Sequence, residues 1–383
     1  MRFVTSVLLA AASLSPASAQ ELAIESEVAS GYISHAGEKD FGLPDLVLRQ
    51  SHRLQGGFAS GLATVTAQMV YTDLRHERAR YENDAAISGE VAAQIDLGDG
   101  GALRAGYAIS LESEGTALDL GVLALAYRVE TLVDGLSLGW HGAGGAEAPR
   151  LDLTLRRTQP GEARFALGLI EPVRLDARQT LAELSGRAGW APWEGAALLA
   201  GGGVAHAAVP LEDQEFYGRY PADRWRAFVG GQAEGQGIYS LKALGGVDIA
   251  VPQERPDLWR GAPYADMALA LALAPLSIEL AAQLSADVDA PVDGVASRRT
   301  AIAAGLGLAV GENLSARLVG RAVDEFGLYG TDEFEARRDI ELSLSHAGPL
   351  GLSQSLTLAR SRRESADAGF TLTSVMVAVA AKM

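Results

Sequence analysis

Apolar residues recur at every second position almost from Leu22 to the end of the chain, and the alternation breaks at Gly, Pro, Asp or Asn. A period of two belongs to a strand whose faces meet different surroundings. In "IAAGLGLAVGENLSARLVGRAV" (302–323) two such runs meet at Gly311-Glu312-Asn313. Leu306, Leu308, Val310, Leu314 and Leu318 share one face, while Gly305, Gly307, Ser315, Arg317 and Arg321 share the other. "AISGEVAAQIDL" sets Ile87, Val91, Ile95 and Leu97 against Ser88, Glu90, Gln94 and Asp96. "LRAGYAISL" continues that pattern after the turn Gly98-Asp99-Gly100-Gly101.

The pattern predicts strands throughout, including 151–155, 164–169, 180–190, 227–235, 239–251, 276–288, 339–347 and 352–361, and no long amphipathic helix. Short connections are expected at 98–101, 133–135, 160–162, 191–195, 274–276, 311–313 and 347–350. Longer polar ones are expected at 72–84, 141–149, 207–224, 251–263 and 326–333. No repeat of fixed period emerges, which disfavours a solenoid or a propeller.

Short and long connections in alternation along a meander are the sequence signature of a transmembrane barrel. Only closure satisfies every strand N–H and C=O within hydrocarbon. In water the apolar face would need a second sheet or helices to cover it, and the chain supplies no helices. The expected fold is all-β, a closed antiparallel transmembrane β-barrel with an even number of strands, about 16 to 20.

Targeting and composition sharpen the picture. "MRFVTSVLLAAASLSPASAQ" has Arg2, an apolar stretch from Val7 to Leu14 and Ala17-Ser18-Ala19 as a small-x-small cleavage site. Residues 1–19 are therefore expected to be a cleaved signal peptide, and 20–383 one barrel domain. The chain has no Cys, so a disulfide framework, a thiolate metal site and a lipoprotein anchor are all excluded. A net charge of −16 argues against nucleic acid, which needs a basic face. Past the signal, no apolar run approaches the roughly 20 residues of a membrane helix.

The terminus "GFTLTSVMVAVAAKM", with Val375, Val377, Val379, Ala381 and Met383 in alternation, resembles the C-terminal strand of bacterial outer-membrane β-barrel proteins, which usually ends in an aromatic residue. With the signal and the loop pattern, the likeness extends over the mature chain and points to the porin-like class rather than to one family. It implies a bacterial outer-membrane location, lipid outside the barrel, and a lumen passing small hydrophilic solutes or ions without a cofactor. The other reading is an occluded barrel that binds at the surface or serves envelope assembly. Fold alone does not decide between them. The oligomeric state stays open, a homo-oligomer included.

The residues to follow are the charges on the face opposite the leucines. They are Arg49, Arg53, Arg104, Arg156, Arg187, Arg317, Arg321 and Arg337, with Glu90, Asp96, Asp152, Glu183, Glu279 and Glu341. A charge facing lipid at the midplane costs about 2–4 kcal/mol, so alternation assigns these to water as candidate pore-lining groups. Rows of opposite sign would set a field across the lumen, whereas mutual pairing would brace the wall.

No catalytic set is expected. Ser51-His52 and Ser345-His346 are strand neighbours pointing to opposite faces, which leaves only a cross-strand partner for either histidine. His35, His52, His76, His141, His206 and His346 lack metal-ligand spacing, and "AGGGVAH" (200–206) lacks the Lys-Ser/Thr of a phosphate loop. Its glycines predict a bent strand. The loop "EDQEFYGRYPADRW" (212–225) either folds inward as a constriction or lies outside, with Trp225 as a girdle residue.

Overall fold

The computed structural model describes residues 21–36, 43–119, 124–145, 147–166, 168, 170–235, 237–289, 291–330, 334–365 and 369–382. The signal peptide and Met383 lie outside these residues. Up one side and down the other run β1 (Glu21–Ala36), β2 (Leu43–Ser60), β3 (Ala63–His76), β4 (Asp84–Asp96), β5 (Ala102–Asp119), β6 (Ala124–His141) and β7 (Arg150–Pro160). After the short β8 (Glu162–Phe165) and β9 (Val173–Arg174), the meander resumes with β10 (Gln179–Trp193), β11 (Ala196–Ala208) and β12 (Ala222–Gly235). It continues through β13 (Tyr239–Pro252), β14 (Arg260–Leu273), β15 (Leu276–Asp287) and β16 (Ser297–Val310). The last strands are β17 (Leu314–Gly327), β18 (Phe334–Ala347), β19 (Leu352–Ser365) and β20 (Gly369–Lys382).

Each strand pairs antiparallel with the next, β7 pairs with β10, and β1 pairs with β20, which closes an 18-stranded barrel. β8 and β9 form a small flap that pairs onto β6 at Tyr127↔Phe165 and Arg128↔Arg164. Closure leaves no strand edge. With strands ~4.8 Å apart and tilted ~40°, the backbone cylinder is roughly 36 Å across.

The register keeps one parity outward around the whole circuit. Leu306 opposes Leu318, and Leu318 opposes Leu342, on three consecutive strands. These side chains are exposed, as are Leu308, Leu314, Val377 and Val379, an arrangement that only a lipid phase makes favourable. Trp190 and Trp193 ring the end that carries both termini, and Trp225 and Trp259 stand toward the other, the placement of an interfacial girdle. The hairpin at 311–313 turns on Gly311, whose φ of +70° suits glycine and few other residues.

Three connections differ from expectation. Residues 133–135 lie inside β6, where Asp134 accepts from Arg157 Nε at 2.9 Å on β7, so tertiary pairing overrides the Val-Asp-Gly turn chemistry. The segment 160–162 leads into the β8–β9 flap at the long-loop end. Conversely, 142–149 joins β6 to β7 at the end carrying the termini, despite its length and polarity.

The lumen as candidate functional site

One stretch of the inner wall is dry. On the inward parity of β11 to β13, Ala205, Ala207, Ala222 and Ala250 form a platform of small side chains. The β15–β16 connection packs onto it through Val288 and Ala296, both almost fully buried, with Leu181, Val295, Leu328 and Tyr329 around them. Lower on the same wall, Leu199, Leu244, Tyr264 and Phe228 pack together. A Cβ at Gly201 would lie 2.6 Å from the Phe228 ring and nearer still to the Gly186 carbonyl oxygen, so glycine is what lets that ring sit against the strand.

This connection, 288–296, is the segment that folds inward. Asp289 reaches Arg156 on β7 at 2.6 Å, and Gln179 on β10 donates to the Val288 carbonyl at 3.0 Å. Arg219 donates to the Pro291 carbonyl, and Tyr220 N–H donates to the Gly294 carbonyl at 2.8 Å. Asp293 braces the loop from within, accepting from the N–H groups of Val295, Ala296 and Tyr329. Burial holds the Asp289 carboxyl above its ordinary range, against the pull of Arg156. Burial likewise pushes the Tyr329 phenol up to about 12, and its hydroxyl donates to the Ala250 carbonyl at 2.9 Å.

The loop at 207–224 takes a different role. Its centre is a short helix, α1 (Leu211–Tyr217), closed by Gly218 in the left-handed conformation. Asp213 is fully buried and held by Arg174 and Arg178, which fastens α1 to the segment around β9. The hydrogen bond from Arg178 is the main reason its carboxyl lies below the usual range. Phe216 stays 72% exposed, Trp225, 57% exposed, is on the outward parity of β12, and Tyr217 packs against Arg174.

The charges singled out from sequence all sit on the parity opposite the exposed leucines, but most are paired along the wall rather than ranked in opposing rows. Arg49 holds Glu27 at 2.7 Å, Arg53 approaches Glu25 at 3.9 Å, and Arg317 holds Glu279 at 2.8 Å. Glu183 takes Arg224 at 2.6 Å, Asp152 meets His141 at 3.2 Å, and Arg337 meets Asp339 at 2.7 Å. Arg104 donates to Gln94 at 2.9 Å. Asp96 accepts from Gly98 N–H at 2.8 Å and so shapes a turn. Arg187 lies opposite Arg150 and Gly201, its Nε buried without a hydrogen-bond partner. Glu90, Arg321 and Glu341 have no ion pair among the described residues.

Two groups that sequence reasoning passed over belong to this wall. Arg226 makes a two-pronged contact to fully buried Asp248, at 2.7 and 2.9 Å, with its guanidinium 4.1 Å above the Tyr264 ring. Asp248 also accepts from the Ala286 N–H at 2.8 Å, tying β13 to the end of β15. Their signal was legible in part, as Arg226 and Asp248 are in-register neighbours on the inward parity.

On the outer wall His52 Nδ1 and Ser26 Oγ are 3.1 Å apart across β1 and β2, and His52 stacks on Tyr71. No carboxylate orients the other ring nitrogen among the described residues, so the pair lacks the third member of a nucleophilic relay. Among the described residues no cluster of metal-ligating side chains forms.

An 18-stranded antiparallel barrel with leucines against lipid and a charged lumen is a porin-like transmembrane barrel, the fold of the bacterial outer membrane. No family model matches the chain, and no curated protein does. Among solved structures it is similar to the copper transporter OprC, with a TM-score of 0.55 at 9% identity over 95% of this chain and 80% of that one. It is also similar to the outer membrane protein OpdK from Pseudomonas aeruginosa (TM-score 0.44, 12% identity, 95% and 99% of the two chains). A third is OccAB4 of Acinetobacter baumannii (TM-score 0.47, 11% identity, 95% and 98%). At such identities the shared property is the barrel.

Proposed function

We propose that this chain is a channel of the bacterial outer membrane through which small hydrophilic solutes or ions diffuse passively, after residues 1–19 are removed on export. The inward-folded 288–296 loop carries the reading. It packs against one side of the inner wall, and other strands present Arg, Glu, Ser and Thr side chains on the same inward parity. Barrels of this strand number enclose an aqueous channel unless another element plugs them, and no separate plug domain is present among the described residues. No cofactor enters this function.

The pore-lining set is assigned the role of setting ion preference, with Glu90, Arg321, Glu341, Arg104, Arg187 and Asp96, which form no ion pair among the described residues, weighing more than the charges paired along the wall. Arg321 stands in register with Asp339, which Arg337 and Ser361 already hold. Screening by salt makes the preference strongest at low ionic strength.

Single-channel recording of the refolded mature chain in a planar bilayer tests this. Discrete conductance steps are expected, and Val288→Asp, which places a charge in the dry alanine platform, should undock the loop and raise the unit conductance. An inserted barrel that stays silent in both forms would overturn the channel reading in favour of an occluded surface-binding barrel.

A further inference from the structure

On the lipid-facing parity, the wall from β16 to β20 changes character at one level. Toward the end carrying the termini it presents Ile302, Leu306, Leu318, Ile340, Leu342, Leu358 and Val375. Farther outward on the same face come Thr300, Asp324, Arg338, Arg360, Arg362, Thr373 and Thr371, with Phe326 and Phe334 beyond them. Along β19 the first of these arginines comes eight residues after Leu352, a rise of roughly 20 Å at ~3.3 Å per residue and ~40° of tilt. That is the upper edge of a hydrocarbon band, on the side where the lipid headgroups begin.

The register crowds like charge there. Arg338 on β18 directly opposes Arg362 on β19, with Arg360 two positions below on the same outward face. Like charges in direct cross-strand opposition repel. The protein offers two carboxylates for three guanidiniums: Asp324 holds Arg338 at 2.5 Å, and Glu364 holds Arg362. Arg360, the nearest to the apolar band, has Ile340 and Thr373 as its cross-strand neighbours and no ion pair among the described residues. Other outward arginines at this end have partners within the protein: Arg75 holds Asp73 at 2.6 Å, Arg157 holds Asp134 at 2.9 Å, and Arg298 lies over the Phe326 ring. A chain of net charge −16 thus carries a locally basic, incompletely neutralised cluster against the bilayer.

We propose that Arg338, Arg360 and Arg362 form a binding site for the phosphate of an anionic lipid headgroup in the leaflet away from the termini. An unpaired charge beside hydrocarbon needs a counter-ion at its own depth, which a lipid phosphate supplies and bulk anions do not. The guanidinium fork matches phosphate oxygens, and Thr373 lies beside Arg360 as a neutral neighbour that leaves the site open. The inference rests on the membrane reading of the barrel, not on whether its lumen conducts.

The test titrates the refolded chain in nonionic detergent micelles with phosphatidylglycerol and reads bound lipid by native mass spectrometry. Arg360→Gln should weaken retention roughly fivefold, and Arg338→Gln, Arg360→Gln and Arg362→Gln together roughly a hundredfold. Arg360→Lys, which keeps the charge, should restore most of the binding, and Arg157→Gln should leave it unchanged. Inorganic phosphate should not displace the lipid. Equal retention by wild type and the triple variant, or displacement by free phosphate, would overturn the lipid site. A barrel that binds lipid but passes no current would leave it standing and remove only the channel reading.

Discussion

Leu318 and Val319 are neighbours on β17, and replacing each in turn by arginine separates the two faces of the wall as cleanly as one peptide bond allows. Leu318 is exposed between Leu306 and Leu342, at mid-height of the apolar band. An arginine there costs about 2–4 kcal/mol, the depth-dependent price of a cation facing lipid. Val319 has the opposite parity, between Gly305 and the unpaired Glu341. There the new guanidinium has room over a glycine and a carboxylate in register, a cross-strand pair worth about 0.2–1 kcal/mol in its favour. The two variants should therefore differ by at least ~2 kcal/mol, or roughly 30-fold in the folded-to-unfolded ratio. Urea-dependent folding into lipid vesicles, followed by tryptophan fluorescence, measures that ratio. If Leu318→Arg and Val319→Arg shift the midpoint equally, the outer parity does not face lipid and the membrane assignment fails.

Asp289 makes loop docking depend on pH. Its pKa is raised in the docked state, so protonation favours docking, and unit conductance should fall as pH drops through the raised value. Asp289→Asn, which mimics the protonated form, should abolish that dependence in bilayer recordings. Asp213 has the opposite sign. Its lowered pKa contributes stability that is fully present above the unfolded value and lost only as strong acid carries the pH through the folded one. Asp213→Asn at neutral pH should speed amide exchange across 211–217 by roughly tenfold or more, since it removes the buried carboxylate that Arg174 and Arg178 share. Asp248→Ala should lower the stability of the whole barrel by about 3–5 kcal/mol in urea titrations, because it leaves the half-buried Arg226 without its partner. A loss below ~1 kcal/mol would mean that water reaches Arg226.

Alternation made the wall legible because every strand keeps a single parity. Register shifts are confined to the Ile33/Ala36 and Trp190/Trp193 ends, so no side chain changes sides in mid-membrane. Hence Arg317 and Leu318 could be placed from sequence alone. The inward loop could not. "DVDAPVDGVAS" reads like any polar connection, and what draws it in is the alanine platform of β11 to β13, whose residues are contiguous only after folding. The clue was a lumen face carrying Ala205, Ala207, Ala222 and Ala250 where other strands carry charge. The ion pairs were hidden for the same reason, since Arg156 and Asp289 are 133 positions apart in sequence. Val-Asp-Gly at 133–135 misled because turn chemistry is a local vote, and β6 is held by partners on both sides.

The 288–296 loop takes its contacts from the β7–β13 arc and from the 327–330 connection after β17, so the two sides of the barrel interior are built differently. Arg224, Arg226 and Asp248 lie on the loop's side of the inner wall, while Arg49, Arg53 and Glu90 stand on β2 and β4 across the barrel. On the channel reading, a solute would pass between two unlike flanks, one carrying a docked loop and the other made of paired strands.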